Sequence, residues 1–338
     1  MRYYIIAGEA SGDLHGGNLI RAIHEQDKQA NVRCWGGDKM EAAGATLVKH
    51  YRELAFMGFV EVIANLRTIF KNIDLCKKDI VVFKPDVLVL IDYPGFNMRI
   101  AEWAKKQGIK IVYYISPQVW AWKENRVKNI KRDVDKMLVI LPFEVDFYKK
   151  WDFDVTYVGQ PLVEVVRHEK DNVPVQPLSD KPIIALLPGS RAQEIKVKLP
   201  LMLQMVKYFP EYCFAVAQAS AQPDSLYKEI IGNEDVLLVK DRTYNLLKQA
   251  RAGLITSGTA TLETALFGVP QVVCYKGNAV SFWIATKVVS IKYISLVNLI
   301  MDKPVVTELI QSELTEDKLK AALTRLLKDE AYKFISKR

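Results

Sequence analysis

Short, continuously apolar runs recur along this chain, and segments long enough for a helix separate them. The runs "DVLVLID" at 86–92 and "PIIALLP" at 182–188 show no alternation of apolar and polar residues. This pattern is typical of strands that are buried on both faces of a parallel sheet. Parallel strands need crossover connections, which are usually helices. The sequence therefore predicts an α/β fold with doubly wound parallel sheets.

Ten strand candidates, several of them continuously apolar, form two groups and predict two domains. The first group is 2–7, 31–35, 86–92, 109–115 and 136–141, and the second is 182–188, 212–217, 236–240, 252–257 and 270–275. Between them, "HEKDNVPVQPLSDKP" combines prolines with charges, as linkers do. We expect Rossmann-like domains over 1–165 and 175–338, joined by a linker at about 160–180. Ligands should bind in the cleft beyond the carboxyl ends of the strands.

Charge and composition narrow the class of protein. The formal net charge of +8 favours anionic partners: nucleic acid, phosphorylated small molecules or an anionic membrane surface. The most apolar long segment, 279–300, is interrupted by Lys287 and Lys292, so we expect no membrane span. The four cysteines and four histidines are scattered, so we expect reduced cysteines and no metal site.

Two loops in the second half have the features of a phosphate site. In "SGTATLETALFG" at 257–268 a polar turn leads into a predicted helix, whose free N–H groups and dipole favour an anion. In "LLPGSR" at 186–191, Arg191 provides a guanidinium that suits pyrophosphate oxygens. Glu263 suits ribose hydroxyls. Together the loops predict a nucleoside diphosphate site, and the alternative is an ordinary helix cap beside a surface arginine.

The loop "AGEASGDLHGG" at 7–17 is rich in glycine but lacks the GxGxxG spacing, and it contains Glu9 and Asp13. These carboxylates would repel the phosphates of a dinucleotide. The loop is therefore predicted to hydrogen-bond sugar hydroxyls or to orient a base. The alternative is a tight strand-to-helix turn with Ser11 or Asp13 as its N-cap.

Two segments of the first half provide further candidates. "LIDYPGFN" ends a buried strand with Asp92, where burial would raise the pKa of a carboxyl group into the range of a general base. The alternative is that Asp92 caps the next helix. In "YYISPQVWAWKENRVKNIKR" at 113–132, aromatic residues alternate with basic ones. This segment could bind nucleic acid, stack on a sugar and hold a phosphate, or form an amphipathic structural helix.

The segment 56–78 has an unusually broad apolar face. One helical face comprises Val62, Leu66, Ile69 and Ile73, and Phe59, Val60, Ile63 and Phe70 widen it. Basic residues flank this face: Arg67, Lys71, Lys77 and Lys78. A helix of this kind suits a membrane interface or acyl chains. A buried core helix is the alternative.

The motifs, taken together and in order, resemble those of the lipid-A-disaccharide synthases, which are glycosyltransferases of the GT-B fold. The resemblance covers nearly the whole chain. It rests on "AGEASGDLHGGNLIRAI", "MGFVEV", "KPDVLVLIDYPGFN", "YYISPQVWAWKENRV", "LPFE", "VGQPLVE", "LLPGSRAQEI", "SGTATLETALFGVPQVVCYK" and "YISLVNLI".

The resemblance implies a reaction and a location. UDP-2,3-diacylglucosamine would donate its sugar to the 6-hydroxyl of 2,3-diacylglucosamine 1-phosphate with inversion. The products would be the β-1,6-linked disaccharide 1-phosphate and UDP. A peripheral protein at the cytoplasmic face of the inner membrane is implied, with no cofactor and no nucleic-acid partner. A homodimer is left open.

The resemblance also implies roles for matching residues. Asp92 is the candidate general base, and His15 is a second candidate. The acceptor side is assigned Glu9, Ser11, Asp13, Ser116, Gln118 and Trp120. The UDP side is assigned Arg191, Ser257, Gly258, Thr259, Glu263 and Asn298. The acyl chains or the membrane are assigned Phe59, Val60, Val62, Ile63, Leu66, Ile69 and Phe70.

The chain departs from the family pattern at two places. Many members have aspartate where this chain has Gly95, which shifts the weight of catalysis to Asp92. GT-B proteins usually end on a helix that returns to the first domain. The chain beyond the predicted 315–328 helix is short, so we expect that returning helix to be incomplete here.

Two other functions remain open at this point. Another GT-B nucleotide-sugar enzyme, such as a UDP-N-acetylglucosamine epimerase, would share the loops of the second half but would not need the broad apolar face. A non-catalytic nucleotide- or RNA-binding protein would use the 113–132 segment, and its binding would depend strongly on salt.

Overall fold

The computed structural model describes residues 1–53, 66–278 and 291–328, together with Phe282, Thr286 and Lys287. The chain divides into two compact units, Met1–Pro161 and Leu162–Arg338. The boundary falls within the stretch expected to be a linker. That stretch is not wholly irregular, because a helix occupies Leu162–Asn172.

The first unit contains a seven-stranded sheet in which every pairing is parallel. Its order is β3-β2-β1-β4-β5-β6-β7. The strands are β1 Arg2–Ala7, β2 Asn31–Gly36, β3 Thr46–His50, β4 Val87–Ile91, β5 Lys110–Tyr114, β6 Lys136–Val139 and β7 Thr156–Tyr157. Its helices are α1 Ala10–Gln26, α2 Asp38–Ala42, α3 Leu66–Phe83, α4 Pro94–Lys106, α5 Val127–Asp133 and α6 Phe143–Lys149. Short 3₁₀ turns occupy Tyr51–Glu53 and Glu124–Arg126.

The second unit repeats this plan with six parallel strands in the order β10-β9-β8-β11-β12-β13. The strands are β8 Ile183–Leu187, β9 Cys213–Gln218, β10 Val236–Lys240, β11 Ala250–Thr256, β12 Gln271–Tyr275 and β13 Thr307–Ile310. Its helices are α7 Leu162–Asn172, α8 Ala192–Leu203, α9 Asp224–Ile231, α10 Thr243–Gln249, α11 Thr259–Leu266, α12 Leu296–Met301 and α13 Glu316–Lys328. Val206–Tyr208 and Gln311–Glu313 are 3₁₀ turns.

The prediction of two doubly wound parallel sheets is confirmed. All ten predicted strands are present, and their ends differ from the predicted ones by at most two residues. Three strands were missed, namely β3, β7 and β13. They are short, and each contains polar or exposed residues, because strands near a sheet edge need less apolar sequence than central ones.

Side chains on the two faces of the central strands enter two different cores. Along β4, Leu88 and Leu90 pack in one cluster, whereas Val89 and Ile91 pack in another on the opposite face. Successive residues of a strand point to opposite faces, so a strand that is apolar at every position is buried on both. Each fully buried side chain of this size contributes about 1.5–3 kcal/mol. This burial on both faces explains why continuously apolar runs in the sequence predict the central strands reliably.

Helix α3 has one core-facing side and one exposed side. Ile73 and Ile80 are fully buried, and Ile69 is half-buried and packs on the same core. The assignment of Ile69 to the acyl chains or the membrane stays a prediction, and its packing on the core favours the alternative of a buried helix face. Phe70, in contrast, is 52% exposed. Among the described residues, no helix combines the length and the apolar content that a membrane span requires.

Some of the positions assigned to the acyl chains or the membrane lie outside the described residues. These are Phe59, Val60, Val62 and Ile63, while Leu66 is the first residue of α3. The end of the chain, where the returning helix was expected to be incomplete, also lies outside them beyond residue 328.

Candidate functional site

In the first unit, the strand order reverses between β1 and β4, and two carboxylates follow these strands. Asp92 comes directly after β4, and Glu9 lies two residues beyond the end of β1. The two strands are paired in parallel with Ala7 opposite Ile91, so their carboxyl ends lie at the same edge of the sheet. Ligands of such sheets bind at this switch point. The structure therefore brings Glu9 and Asp92 together where a substrate is expected.

The environment of Asp92 suits a general base. Burial raises the pKa of the Asp92 carboxyl to about 6, the negative charge of Glu9 adds to the rise, and the backbone amide of Tyr93 opposes it. A group with this pKa is mostly ionised at neutral pH and can accept a proton from a hydroxyl. Asp92 and Tyr93 both have left-handed backbone conformations, with φ of 44° and 50°. Each such residue costs ~1–3 kcal/mol, and strain of this kind is often found at functional sites.

The glycine-rich loop allows close packing. A Cβ atom at Gly8 would overlap the ring of Tyr93. Further along α1, a Cβ at Gly16 would lie 2.6 Å from the sulfur of Met40, and a Cβ at Gly17 would lie 2.9 Å from the carbonyl oxygen of Lys39. These glycines therefore let Tyr93 pack onto the loop and let α2 pack onto α1. The glycines of this loop are therefore explained by close packing. They do not require a bound phosphate, which the acidic residues of the loop would repel.

Asp13 has a structural role in this unit, and its assignment to the acceptor site stays a prediction. Its carboxylate is buried and accepts hydrogen bonds from the backbone N–H groups of Gly37, Lys39 and Met40 at 2.8, 3.1 and 3.1 Å. These donors lie at the start of α2, so Asp13 stabilises the N-terminus of that helix. Asp13 does not cap its own helix, because the N-cap position of α1 is Glu9.

The other candidates of this loop differ in exposure. Ser11 is exposed in the first turn of α1. His15 is buried, and its Nδ1 has no hydrogen-bond partner among the described residues. Burial lowers the pKa of His15, so the imidazole is neutral near pH 7. It remains a second candidate for a base, but it is less accessible than Asp92.

The segment after β5 is more structural than predicted. Ser116 is buried, and its Oγ lies 2.8 Å from the hydroxyl of Tyr148 and donates to the carbonyl of Pro117 at 3.1 Å. Its assignment to acceptor binding stays a prediction. Trp120 is half-buried and packs edge-on against Phe143, with ring centroids 4.9 Å apart. Gln118 is exposed and stays a candidate for the acceptor side.

Trp122 is the exposed aromatic residue of this segment, at 40%. Its ring is flanked by the ammonium of Lys123 at 4.6 Å and by the guanidinium of Arg126 at 5.3 Å. Both cations therefore lie near the ring on which a nucleic-acid base would have to stack. The arrangement gives no support to the RNA-binding alternative.

In the second unit, a cavity of about 470 Å³ opens at the equivalent switch point, between β8 and β11. Two glycines shape its rim, Gly189 with a φ of 122° and Gly258 with a φ of 134°. Side chains other than glycine rarely adopt these conformations. The lining includes Arg191, Ser257, Gly258, Thr259 and Glu263. The structure thus brings together five of the six residues assigned to the UDP side.

The chemistry of this cavity suits an anion. Gly258 precedes α11, and the first backbone N–H groups of a helix have no partner within it. Arg191 is the N-cap residue of α8 and is 62% exposed. Its guanidinium lies 3.6 Å from Glu194, in a loose ion pair that leaves donors free for a ligand. Donors from two helix starts therefore converge on the cavity.

Glu263 provides an acceptor in the same cavity. Its Oε1 accepts a hydrogen bond from the hydroxyl of Tyr244 at 2.7 Å. Burial raises the pKa of Glu263, and the bond from Tyr244 opposes that rise. The Tyr244 contact fixes the carboxyl group, and its Oε2 is available to a hydroxyl of a bound ligand.

Asn298 is not among the residues that line this cavity, and its assignment to UDP binding stays a prediction. It is 1% exposed, and its amide nitrogen donates to the carbonyl of Val306 at 2.9 Å and to Glu308 Oε1 at 2.8 Å. Its Oδ1 accepts from the Val306 amide at 2.9 Å. Both polar atoms of the Asn298 side chain are thus hydrogen-bonded, and these bonds join α12 to the start of β13.

Two residues in or beside this cavity were missed from the sequence. Gln218 is the last residue of β9 and lines the cavity, so the rule that ligands bind beyond strand ends could have identified it. Lys198 is 3% exposed, and its ammonium donates to Thr256 Oγ1 and to Glu194 Oε2, which is 3.5 Å away. No sequence pattern marked this buried lysine.

The described part of the chain contains no group of three or more histidine, cysteine, aspartate or glutamate side chains that could hold a metal ion.

Comparisons with known proteins agree with each other on the family. A family model described as lipid-A-disaccharide synthetase matches residues 3–337. The lipid-A-disaccharide synthase of Syntrophus aciditrophicus (strain SB) is 39% identical over 334 residues, which cover 96% of this chain and 87% of that protein. The one from Geobacter sulfurreducens is 38% identical and covers 98% and 89%. The one from Coxiella burnetii (strain RSA 331 / Henzerling II) is 36% identical and covers 97% and 89%.

Solved structures show the fold. The UDP-GlcNAc 2-epimerase of Neisseria meningitidis bound to UDP-GlcNAc has a TM-score of 0.68 at 11% identity, covering 99% of this chain and 94% of that one. A glycotransferase of kitacinnamycin has a TM-score of 0.67 at 15% identity, with 99% and 93% covered. At this identity the likeness establishes a shared architecture, the GT-B fold, and nothing about substrates.

Proposed function

The chain belongs to the lipid-A-disaccharide synthase family and is a glycosyltransferase of lipid A synthesis, and from this premise we propose its substrates and its mechanism. The donor is UDP-2,3-diacylglucosamine, and the acceptor is 2,3-diacylglucosamine 1-phosphate. The products are the β-1,6-linked disaccharide 1-phosphate and UDP. The observation that supports this best is the contrast between the two switch points. Carboxylates occupy the first, whereas an arginine and helix N-termini occupy the second.

The second unit binds the UDP part of the donor. Arg191 and the N–H groups at Thr259 contact the diphosphate oxygens, and the free oxygen of Glu263 accepts a hydrogen bond from a ribose hydroxyl. The cavity lining places all three residues around one space. Donors that are already fixed in place stabilise the negative charge as it develops on the leaving UDP.

The first unit activates the acceptor. The 6-hydroxyl oxygen forms a bond to the anomeric carbon of the donor while the bond from that carbon to the UDP oxygen breaks. Asp92 accepts the hydroxyl proton, and the bonding electrons leave with the β-phosphate of UDP. Because the attack comes from the side opposite the leaving group, the configuration inverts. Glu9 raises the pKa of Asp92 and so increases its affinity for that proton.

We also propose that the protein acts at the cytoplasmic face of the inner membrane, where diacylated sugars reside. Support comes from the net charge of +8 and from the exposed side of α3. There, the 52% exposed ring of Phe70 lies 5.2 Å from the guanidinium of Arg99. An apolar ring beside a cation is suited to the boundary between acyl chains and anionic headgroups.

Mass analysis of the products tests the proposal. The purified protein is incubated with the donor and the acceptor together, and with each alone. We expect a disaccharide 1-phosphate and equimolar UDP only when both sugars are present. Epimerised UDP-sugar in the donor-only sample would indicate the epimerase alternative instead. No conversion in any sample, from a protein that still binds UDP, would contradict the proposed substrates.

A further inference from the structure

Asp92 is held in its unusual conformation by hydrogen bonds to its backbone. Its N–H donates to the carbonyl of Tyr114 at 3.2 Å. Its carbonyl oxygen accepts two hydrogen bonds from side chains, one from the hydroxyl of Tyr113 at 2.6 Å and one from Nδ2 of Asn97 at 2.7 Å. Both polar groups of this backbone are thus fixed by neighbouring residues.

We propose that Tyr113 and Asn97 are positioning residues for Asp92, which hold the left-handed turn after β4 and thereby aim the carboxylate at the acceptor hydroxyl. This inference rests on the proposed function, because it takes Asp92 as the general base. Neither residue was a candidate from the sequence. Both act through the carbonyl group, so removing either one changes the orientation of the carboxylate and leaves its charge in place.

The burial of the two donors fits a positioning role. Both side chains are fully buried. Burial and the nearby charge of Asp92 raise the pKa of Tyr113 well above its ordinary value, so the phenol stays protonated and remains a donor. The second hydrogen of the Asn97 amide is donated to the carbonyl of Ile91 at 3.2 Å. The amide therefore joins the last residue of β4 to the first residue of the turn.

One atom of this arrangement has an energetic cost. Oδ1 of Asn97 is buried and has no hydrogen-bond partner among the described residues. Buried polar atoms are nearly always paired, and an unpaired one calls for an explanation. The amide orientation that leaves Oδ1 unpaired is the one that directs Nδ2 at the carbonyl oxygens of Ile91 and Asp92. A function of the turn at Asp92 explains why this orientation persists.

A double-mutant cycle between Tyr113→Phe and Asp92→Asn tests the proposal. Asparagine tolerates the left-handed region, so Asp92→Asn removes the base and keeps the turn. We expect Tyr113→Phe alone to reduce kcat about 10-fold, as misplacement of a reacting group does, with KM for the donor unchanged. In the Asp92→Asn background the same change should have no further effect, because the group that it positions is already absent.

The pH profile gives a second readout. When the turn loosens, the carboxylate becomes better hydrated, so the acid limb of kcat/KM should move to lower pH in Tyr113→Phe. Asn97→Ala should move it in the same direction, and it serves as the second variant should Tyr113→Phe fold poorly. An equal loss of kcat in both backgrounds, with an unshifted acid limb, would overturn the positioning role.

Tyr4→Phe is the matched control. Tyr4 is also a fully buried tyrosine of this sheet, and its hydroxyl donates to Asp79 Oδ2 at 2.7 Å, away from Asp92. We expect Tyr4→Phe to have a melting temperature similar to that of Tyr113→Phe and to keep the parental kcat. If Asp92→Asn alone retains parental turnover, Asp92 is not the general base. The positioning role of Tyr113 and Asn97 is then also wrong. A loss of kcat in Tyr4→Phe equal to that in Tyr113→Phe would overturn the positioning role alone.

Discussion

The two units share one topology and differ in the chemistry at equivalent positions. Each sheet reverses its strand order beside its first strand, at β1 and β4 in one unit and at β8 and β11 in the other. Asp92 and Glu9 follow the first pair of strands, whereas Gly189, Arg191 and Gly258 follow the second. The fold determines where a ligand can bind, and the residues after the strands determine which charge that ligand should have.

The residues with positive φ at the ends of the strands also differ between the two units. At the switch point of the second unit, the positive-φ residues are the glycines Gly189 and Gly258, so the backbone there can approach a ligand closely without strain. The first unit places Asp92, Tyr93 and Ile115 in left-handed conformations at the ends of β4 and β5. A β-branched residue there is a genuine outlier. We propose that the second switch point is shaped for backbone contact with phosphate, and the first for orienting a side chain.

The largest expected effect is on Asp92. Asp92→Asn removes the base at the first switch point, and we expect turnover to fall by about 100-fold or more. The fold should persist, because asparagine tolerates this backbone conformation. The measurement is a steady-state assay of disaccharide formation, with thermal melting as the control. Near-parental turnover would remove the contrast between the units, because the first would then have no catalytic carboxylate.

A smaller effect is expected at the second switch point. Arg191→Ala removes a charged donor from the diphosphate site, and we expect KM for the donor to rise about 10-fold, with a lower kcat. Arg251 provides a matched control, since it is exposed in the same unit and does not line the cavity. Unchanged kinetics in Arg191→Ala would show that this guanidinium is an ordinary surface group.

The pH dependence of kcat/KM for the acceptor sharpens the comparison further. Because Asp92 must be ionised to accept a proton, and its pKa is raised to about 6, activity should fall as the pH drops through that value. Below it, the rate should decrease about tenfold per pH unit. The same limb should vanish in Asp92→Asn. If that variant keeps the limb, another group, with His15 the first to examine, is the base.

The smallest effect concerns the lipid surface, which we assign to the first unit alone. Phe70→Ser should reduce co-sedimentation with anionic vesicles and change the free energy of unfolding by only about 0.5 kcal/mol or less, because the ring is exposed. Ile73→Ala, on the buried side of the same helix, should cost about 2–5 kcal/mol. Met301→Ser, an exposed apolar position in the second unit, should not affect vesicle binding. Equal loss in Phe70→Ser and Met301→Ser would argue against a membrane face on the first unit.

The sequence predicted most of the fold because double burial leaves a strong pattern. Most positions of the central strands are apolar, and the ends of these strands locate the switch points. Within the candidate sites, Asp92, Arg191 and the turn at Gly258 could be found because each directly follows such a strand or begins the helix after it. Gln218 could have been found by the same reasoning.

The structural contacts of three candidate residues could not be predicted from the sequence, for a common physical reason. Asp13, Ser116 and Asn298 are polar residues inside motifs, and the sequence does not distinguish a polar group that binds a ligand from one that satisfies buried backbone. Asp13 accepts hydrogen bonds from backbone N–H groups at the start of α2, which lie 24 residues or more further along the chain. Such long-range pairing has no local sequence pattern. Lys198, Tyr113 and Asn97 were missed for the same reason, since their roles depend on contacts in space.

Calorimetric titration of UDP into the parent, Asp92→Asn and Arg191→Ala proteins tests the division of labour between the units most directly. The account predicts that Asp92→Asn binds UDP with parental affinity although its turnover is lost, and that Arg191→Ala binds UDP about 10-fold more weakly. Weak binding by a folded Asp92→Asn protein, with parental affinity in Arg191→Ala, would place the nucleotide at the first switch point and contradict the account.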